Sequence, residues 1–581
     1  MNLSAKQRVK SQESRAESRL DGNREGVGSL FPYRPQRRLE CPARSAADTE
    51  KDSRPPCATF RRHRRPRRGL VILIVVIVVA MLSLSGLSYV SLLYTEHKAV
   101  HVGGDEIQAD HLVGSGEEML KAFLEMPSAA QEEAGGWYDN ADRFRGVLVL
   151  GSERSGRRGR FTILSPVVEN GEAAGIRFGL ENESARLNLG VLPLWERRHP
   201  GAGREALMGL PGMTESVADG VLDWIDADAN QRDYGAEESY YVGLGAPYAP
   251  RNAPPTSLEE LLLIRGVSRE RLFGRNPLFS APAEERSDSD RQSPLSFELS
   301  GAESPWASLL TVASAERNST PDGDPRIDLN GRDLTALHQQ LSLALPADWA
   351  RFIVAYRQYG PYQGRDASGS DEGFQLDLSL PAKYRLRSPL DAVGVRVRIP
   401  RGGDEKPILL TSPWSDDPAS LRDSLPSLLD QTTVERSPVI LGRVNVDLAP
   451  REVLQAVPGI DDSLADRIVS SRSSGLSDGD AGRRHALWLL TDGMVSLETM
   501  RQLLPFVTGG GEVYRAQIVG FFDHPGPSAR IEVVIDATAR PPRQVYWKDL
   551  KMLGPGYPLE TLGGEPSADA ETLSVWKRDQ Q

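Results

Sequence analysis

The sequence predicts an α+β protein held by a single N-terminal transmembrane helix. An antiparallel sheet is expected from both ends of the outer part, with all-α modules inserted between them. Three observations carry this. Residues 70–93 are a 24-residue apolar run without a charge. Alternating apolar segments flank a long central stretch. Within that stretch, helix–Pro-Gly–helix signals recur. The 581 residues are 39% apolar and 26% charged, which excludes a multispanning membrane protein and a wholly disordered chain.

The run LVILIVVIVVAMLSLSGLSYVSLL at 70–93 makes a helix of about 36 Å, enough to cross a hydrocarbon core of about 30 Å. Before it stand Arg61, Arg62, Arg64, Arg65, Arg67 and Arg68. After it come Glu96, His97 and Lys98. The basic excess keeps the N-terminus in the cytoplasm and puts the C-terminal body outside it; the resemblance described below makes the membrane the inner membrane and the outside the periplasm. The two sides differ in charge: residues 1–68 carry a net +10, the other 513 a net −21. The basic head 1–68 reads as a disordered tail or leader. Cys41 and Cys57 both lie in it, so the outer part has no disulfide.

The helix is expected to continue through 107–126, where Ile107, Leu112, Met119, Leu120, Phe123 and Leu124 mostly follow a helical spacing. Gly103, Gly104, Gly114 and Gly116 weaken that pattern. Strands are expected at 145–150, 160–164 and 176–180, then at 514–520, 529–536 and 545–547.

Between them, PGMTESVADGVL (211–222) and PGIDDSLADRIV (458–469) align without gaps. Each is a turn feeding a helix, with Thr214 or Asp461 as the cap. Upstream of each lies a strand-like tag, Arg186-Leu187-Asn188-Leu189 and Arg443-Val444-Asn445-Val446. A third tag, Arg326-Ile327-Asp328-Leu329-Asn330, precedes another helical stretch. Helix–Pro-Gly–helix units resemble the helix-hairpin-helix, or SAM-like, motif that grips DNA phosphates. DNA binding needs a basic surface, and the outer charge of −21, with Asp461 and Asp462 at one turn, favours a packed spacer instead.

After the first hairpin, DWIDADANQRDYGAEESYY (223–241) has calcium-loop spacing. Asp226, Asp228 and Asn230 fall at loop positions one, three and five, Arg232 at the backbone-carbonyl position and Glu237 at twelve. Gln231 stands where such loops use Gly. The alternative is a solvated acidic loop capping a helix.

Arg67-Arg68-Gly69 before the apolar run resembles the processing site of type IV prepilins and type II secretion pseudopilins, which a prepilin peptidase cuts after the Gly. The cut would fall between Gly69 and Leu70. The fifth mature position is Ile74, where most relatives carry Glu; its absence is typical of minor pseudopilin K. The 69-residue leader is longer than the family's. Asp223-Trp224-Ile225-Asp226-Ala227-Asp228, Gly235-Ala236-Glu237, Tyr240-Tyr241, Asn252, Ser257-Leu258-Glu259-Glu260-Leu261 and Arg265-Gly266-Val267 resemble the signature of the general secretion pathway protein K family, as does Arg443-Val444-Asn445-Val446 leading to Pro458-Gly459-Ile460. The resemblance implies a pilin-like sheet, calcium in the head, and a place at the tip of the type II secretion pseudopilus. It implies as partners the other minor pseudopilins, the major pseudopilin, the prepilin peptidase, the inner-membrane platform and secreted proteins, and no nucleic acid. The alternative function is a membrane-anchored helix-hairpin-helix receptor for DNA uptake.

The expected organisation is a leader at 1–68, the membrane and pilin-type helix at 69–126, and the first part of the sheet at 127–200. Helical modules follow at 201–280, 326–400 and 441–508, separated by linkers at 281–325 and 401–440. Residues 509–581 complete the sheet. No GxSxG, HExxH or phosphate-loop sequence occurs, and the eight His are scattered, so no enzyme is expected.

Overall fold

A computed structural model describes residues 68–153, 157–169, 172–274, 304–364, 375–401, 407–472, 481–524 and 526–565. Residues 1–67 and the acidic run 280–294 lie outside the described residues. The chain divides into two units, Met1–Ser85 and Gly86–Gln581. The described part of the first is helix alone, with every side chain of 71–85 exposed. It belongs to the one helix, among the described residues, long and apolar enough to cross a membrane.

That helix, α1 (Arg68–Glu125), runs unbroken for 58 residues. In the second unit its apolar residues sort onto one face, and Ala109, Leu112, Val113, Leu120, Phe123 and Leu124 are buried. The i, i+3, i+4 spacing of the sequence becomes the face laid on the sheet. The glycines that weakened the helical pattern differ in role. A Cβ on Gly116 would stand 2.7 Å from Ile518 Cγ2, so the helix approaches the sheet most closely there; one on Gly114 would meet nothing within 4 Å among the described residues.

Among the described residues the main sheet has seven strands: β1 (Val147–Leu150), β2 (Gly159–Glu169), β3 (Glu172–Arg177), β4 (Glu181–Asn182), β5 (Val513–Phe522), β6 (Ala529–Asp536) and β7 (Arg543–Asp549). The order is β1-β2-β5-β6-β7, with β3 beside β2 and β4 beside β5, and every pairing is antiparallel. Gln517 pairs with Leu164 and Phe522 with Gly159, so residues more than 350 apart in sequence share one ladder. The expected strand at 176–180 is displaced: β3 ends at Arg177, and Leu180 instead donates its N–H to the Trp137 carbonyl at 3.0 Å. The pleat sends Phe161, Ile163, Ile518, Val533 and Ile535 toward α1, and Leu164, Val519 and Phe521 to the opposite face, under Tyr557 and Leu562. Each such buried side chain contributes about 1.5–3 kcal/mol.

The tags close the helical modules. Among the described residues Leu187–Asn188 pairs in parallel with Leu310–Thr311, Ile327–Asp328 with Thr432–Thr433, and Val444–Asn445 with Val507–Thr508. In each tag the side chain of the third residue accepts from the N–H two residues on: Asn188 from Gly190 at 2.8 Å, Asp328 from Asn330 at 2.8 Å, Asn445 from Asp447 at 2.9 Å. The short polar side chain thus turns the chain out of the strand and into the helices.

The first module holds α2 (Leu192–Arg198), α3 (Ala202–Met208) and α4 (Glu215–Ile225). The second holds α5 (Leu334–Ala344), α6 (Ala347–Tyr359) and α7 (Pro418–Gln431). The third holds α8 (Arg451–Gln455), α9 (Asp462–Ser470) and α10 (Leu497–Leu503). Asp461 caps α9, accepting from Leu464 N at 2.8 Å, whereas Thr214 makes no side-chain cap bond to α4.

The two expected linkers need correction. Residues 401–440 carry a strand at Ile408–Thr411 and the whole of α7, whose Leu421, Leu425, Leu428 and Leu429 are buried. Their i, i+4, i+7, i+8 spacing was the signal, masked by the Ser, Asp and Pro between them. The second module therefore closes at Thr433, not near 400. Within 281–325, residues 304–325 are ordered too, and buried Trp306 donates its indole N–H to the Pro211 carbonyl at 2.9 Å.

Candidate cation site in the acidic loop

Helix α4 places Asp219 and Asp223 one turn apart on a face that is otherwise apolar, and both are buried. Carboxylates there require partners. Asp219 accepts from Tyr234 N at 3.1 Å and pairs with Arg204 Nε at 3.2 Å. Asp223, fully buried, accepts from Arg232 Nη1 at 2.9 Å and from the Arg232 backbone N–H at 3.3 Å. The same Nη1 pairs with Asp226. The loop backbone reaches Asp223 only because residue 235 is glycine: a Cβ there would stand 1.8 Å from Asp223 Oδ2.

Facing this ion pair is Glu237, only 5% exposed. Neither of its carboxylate oxygens has a well-formed hydrogen bond among the described residues, the Glu238 backbone N–H offsetting the burial only in part, and Asp226 Oδ1 has no partner there. Burial, then the negative charges of Asp223 and Asp226, push the Glu237 carboxyl above its usual range. Burial also pushes Asp223 up, against the hydrogen bonds from Arg232.

The calcium-loop reading is thus redrawn. Asp226 and Glu237 lie in one electrostatic cluster, joined by Asp223, which precedes the twelve-residue loop. Asp228 and Asn230 are exposed and bond each other, with Asp228 Oδ1 accepting from Asn230 N at 2.9 Å and Nδ2 at 2.7 Å. Arg232, expected to offer its backbone carbonyl, instead supplies the local positive charge through its side chain. Sequence spacing gave Asp223 no loop position; its signal was a pair of Asp at i and i+4 on an apolar helix face. Asn252 is a further neighbour: Nδ2 donates to the Asp228 carbonyl at 3.3 Å, and buried Oδ1 has no partner among the described residues.

Among the described residues no three His, Cys, Asp or Glu side chains are arranged to hold a metal ion. The donor chemistry nonetheless suits a hard cation: unpartnered, buried carboxylate and amide oxygens, several negative charges and one arginine to offset them. At the other expected site, Gly69 and Leu70 lie in the first turn of α1, whose N–H groups lack intrahelical partners.

The fold and the site define a chain with one membrane-type helix, a sheet built from both chain ends, and inserted helical modules, one ending in an acidic loop. Residues 194–281 match the family model described as type II secretion system (T2SS), protein K. The match spans α2 to the acidic loop and beyond. The type II secretion system protein K of Aeromonas hydrophila is 45% identical over 60 residues, 10% of this chain and 18% of that protein. The chain therefore matches under a fifth of that relative's length. A solved structure, the GspK-GspI-GspJ complex from the enterotoxigenic Escherichia coli type 2 secretion system, aligns at a TM-score of 0.34 and 10% identity, covering 78% of this chain and 99% of that one.

Proposed function

We propose that this chain is a minor pseudopilin of type II secretion, a structural part of protein export rather than an enzyme. The protein K match over 194–281 carries the reading. The apolar α1 and its basic N-terminal flank support insertion in the inner membrane with the body in the periplasm. A prepilin peptidase cuts between Gly69 and Leu70, and α1 then enters a fibre. The bulk of the helical modules suits the tip, where a large head does not obstruct neighbours. The partners on this reading are the other minor pseudopilins and the major pseudopilin below.

Calcium belongs to the same proposal. The unpartnered oxygens of Asp226 and Glu237 would meet it first, and Asp223 would join them only once Arg232 left the space between the two aspartates. The ion supplies the positive charge that the buried, unpartnered Glu237 lacks. The DNA-receptor alternative is disfavoured by the hairpin turn: Asp461 caps α9, while Asp462 and Asp466 pair with Arg451, the nearby base.

The test is the N-terminus of the mature protein recovered from membranes. A start at Leu70, lost in Gly69→Val, supports the pseudopilin. Protein that always retains residues 1–69 overturns it in favour of a fixed anchor.

A further inference from the structure

Two histidines that sequence reading left as scattered meet on α1. His97 and His101 stand one turn apart, just beyond the end of the uncharged run at Leu93. Both are exposed, and their rings face each other. The two Nε2 atoms are 3.1 Å apart, the ring centroids 4.4 Å, and the planes cross at 88°. Side chains at i and i+4 share a helix face, so the helix itself presets this pair.

Zinc takes imidazole nitrogen at about 2.0–2.1 Å, so two nitrogens at a tetrahedral angle stand about 3.3 Å apart. The separation found is within a small ring movement of that bite. A single N–H···N hydrogen bond also brings two imidazoles this close, and the two origins differ in what they bind. Glu96, Asp105 and Glu106 outnumber Lys98 around the pair on the same helix, and the net negative charge raises the local concentration of cations.

We propose that His97 and His101 chelate one imidazole-preferring divalent transition ion, of which Zn2+ is the reference, through their Nε2 atoms. Among the described residues no third His, Cys, Asp or Glu completes a site, so the remaining positions are open to water or to a ligand from a neighbouring subunit. Two imidazoles are poor ligands for Ca2+, which takes oxygen. This site is therefore chemically separate from the acidic loop, and it stands whether or not the pseudopilin reading holds.

The experiment uses the full chain in detergent micelles, carrying Cys41→Ser and Cys57→Ser to remove competing thiols, and a purification tag without histidine. Zn2+ is titrated against a chromophoric chelator in millimolar Ca2+. The expected result is one equivalent bound, with His97→Ala and His101→Ala each weakening affinity at least about tenfold and His63→Ala leaving it unchanged. Cu2+ bound to the parent chain should show nitrogen couplings from two imidazoles, lost in the double variant. Because both side chains are exposed, the variants should melt as the parent does without metal. Zn2+ affinity unchanged in the double variant, or no saturable binding below millimolar Zn2+, overturns the proposal and leaves a hydrogen-bonded pair.

Discussion

Replacing Glu237 by Gln should reverse the order of stability between chelator and calcium. In the ion-free protein the Glu237 carboxylate is buried, without a well-formed hydrogen bond among the described residues, and faces Asp223, Asp226 and Asp228. Its folded pKa is raised, so the folded state holds its proton more tightly than the unfolded chain. Stability from this group is then greatest at low pH and is lost as pH rises through the carboxylate range toward the folded value. At pH 7 the charge is therefore a burden. An unsatisfied buried polar group costs about 1–3 kcal/mol, more when charged, and the neutral amide removes the charged part. Glu237→Gln should thus stabilise the chelated protein by on the order of 1 kcal/mol. With calcium at 100 times its dissociation constant, the parent gains about 2.7 kcal/mol by linkage. The variant, lacking a carboxylate ligand, should gain little and become the less stable of the two. The assay is a urea unfolding midpoint for each protein, with EGTA and with calcium, at pH 7 and pH 5. At pH 5 the advantage of Gln under EGTA should shrink. A variant that is weaker under EGTA yet gains as much from calcium as the parent would refute both the burden and the site.

His485 is buried against Asp430, Nε2 to Oδ1 at 2.7 Å. Burial lowers the His485 pKa, and His485 with Arg484 lowers that of Asp430 against its own burial. Both groups lose stability as pH falls, His485 first, from about 6.5 downward; His485→Gln should flatten the urea midpoint between pH 7 and 5.5, and an unchanged slope would count against the pair. Gly116→Val should cost about 1–3 kcal/mol, since a Cβ there meets Ile518, whereas Gly114→Ala should stabilise by about 0.5–1 kcal/mol in open space within the helix; equal melting shifts would be inconsistent with the close approach of α1. The body after residue 93 should show no salt-sensitive affinity for duplex DNA; micromolar binding that collapses with added salt would restore the DNA-uptake reading.

Where one element buries a continuous apolar face, the sequence was legible. The packed part of α1, β5 and β6 lie within a few residues of their expected bounds because period and length agree, and the apolar run before them is legible from its length and lack of charge alone. The tags were visible as repeats, but their partners were not. Leu310-Thr311, Thr432-Thr433 and Val507-Thr508 are two-residue strands, too short for any periodicity, and only folding brings them to the tags. The acidic loop was half legible. Spacing found Asp226 and Glu237, whereas Asp223 enters through helix geometry and Arg232 through a side chain whose reach no spacing rule encodes. The His97–His101 pair was overlooked because eight histidines were weighed singly, although their i, i+4 spacing on a helix was already present.

The way the modules join the sheet explains how so large an insertion coexists with the packing of α1 on that sheet. The chain leaves the sheet after β4 and returns at β5, and these two strands are neighbours, with Asn182 opposite Tyr514 and Glu181 opposite Arg515. Some 330 residues therefore enter and exit through one point of the sheet, and they touch the stem again where Leu448 packs on its core and Glu259 pairs with Lys548 of β7. That point is fastened by charge. Glu183, fully buried, accepts from Arg515 at 2.6 Å and from Arg186 at 2.8 Å, and takes the Thr311 hydroxyl that closes the first module. Although burial alone would raise the Glu183 pKa, the two guanidiniums hold it below its usual range. Such a pair contributes little net energy over an apolar contact, but losing one partner costs about 3–5 kcal/mol. Its value lies in fixing one orientation at a narrow neck, where an apolar contact would tolerate several. A head joined this way can grow by whole modules while the strand order of the helix-and-sheet stem stays the same.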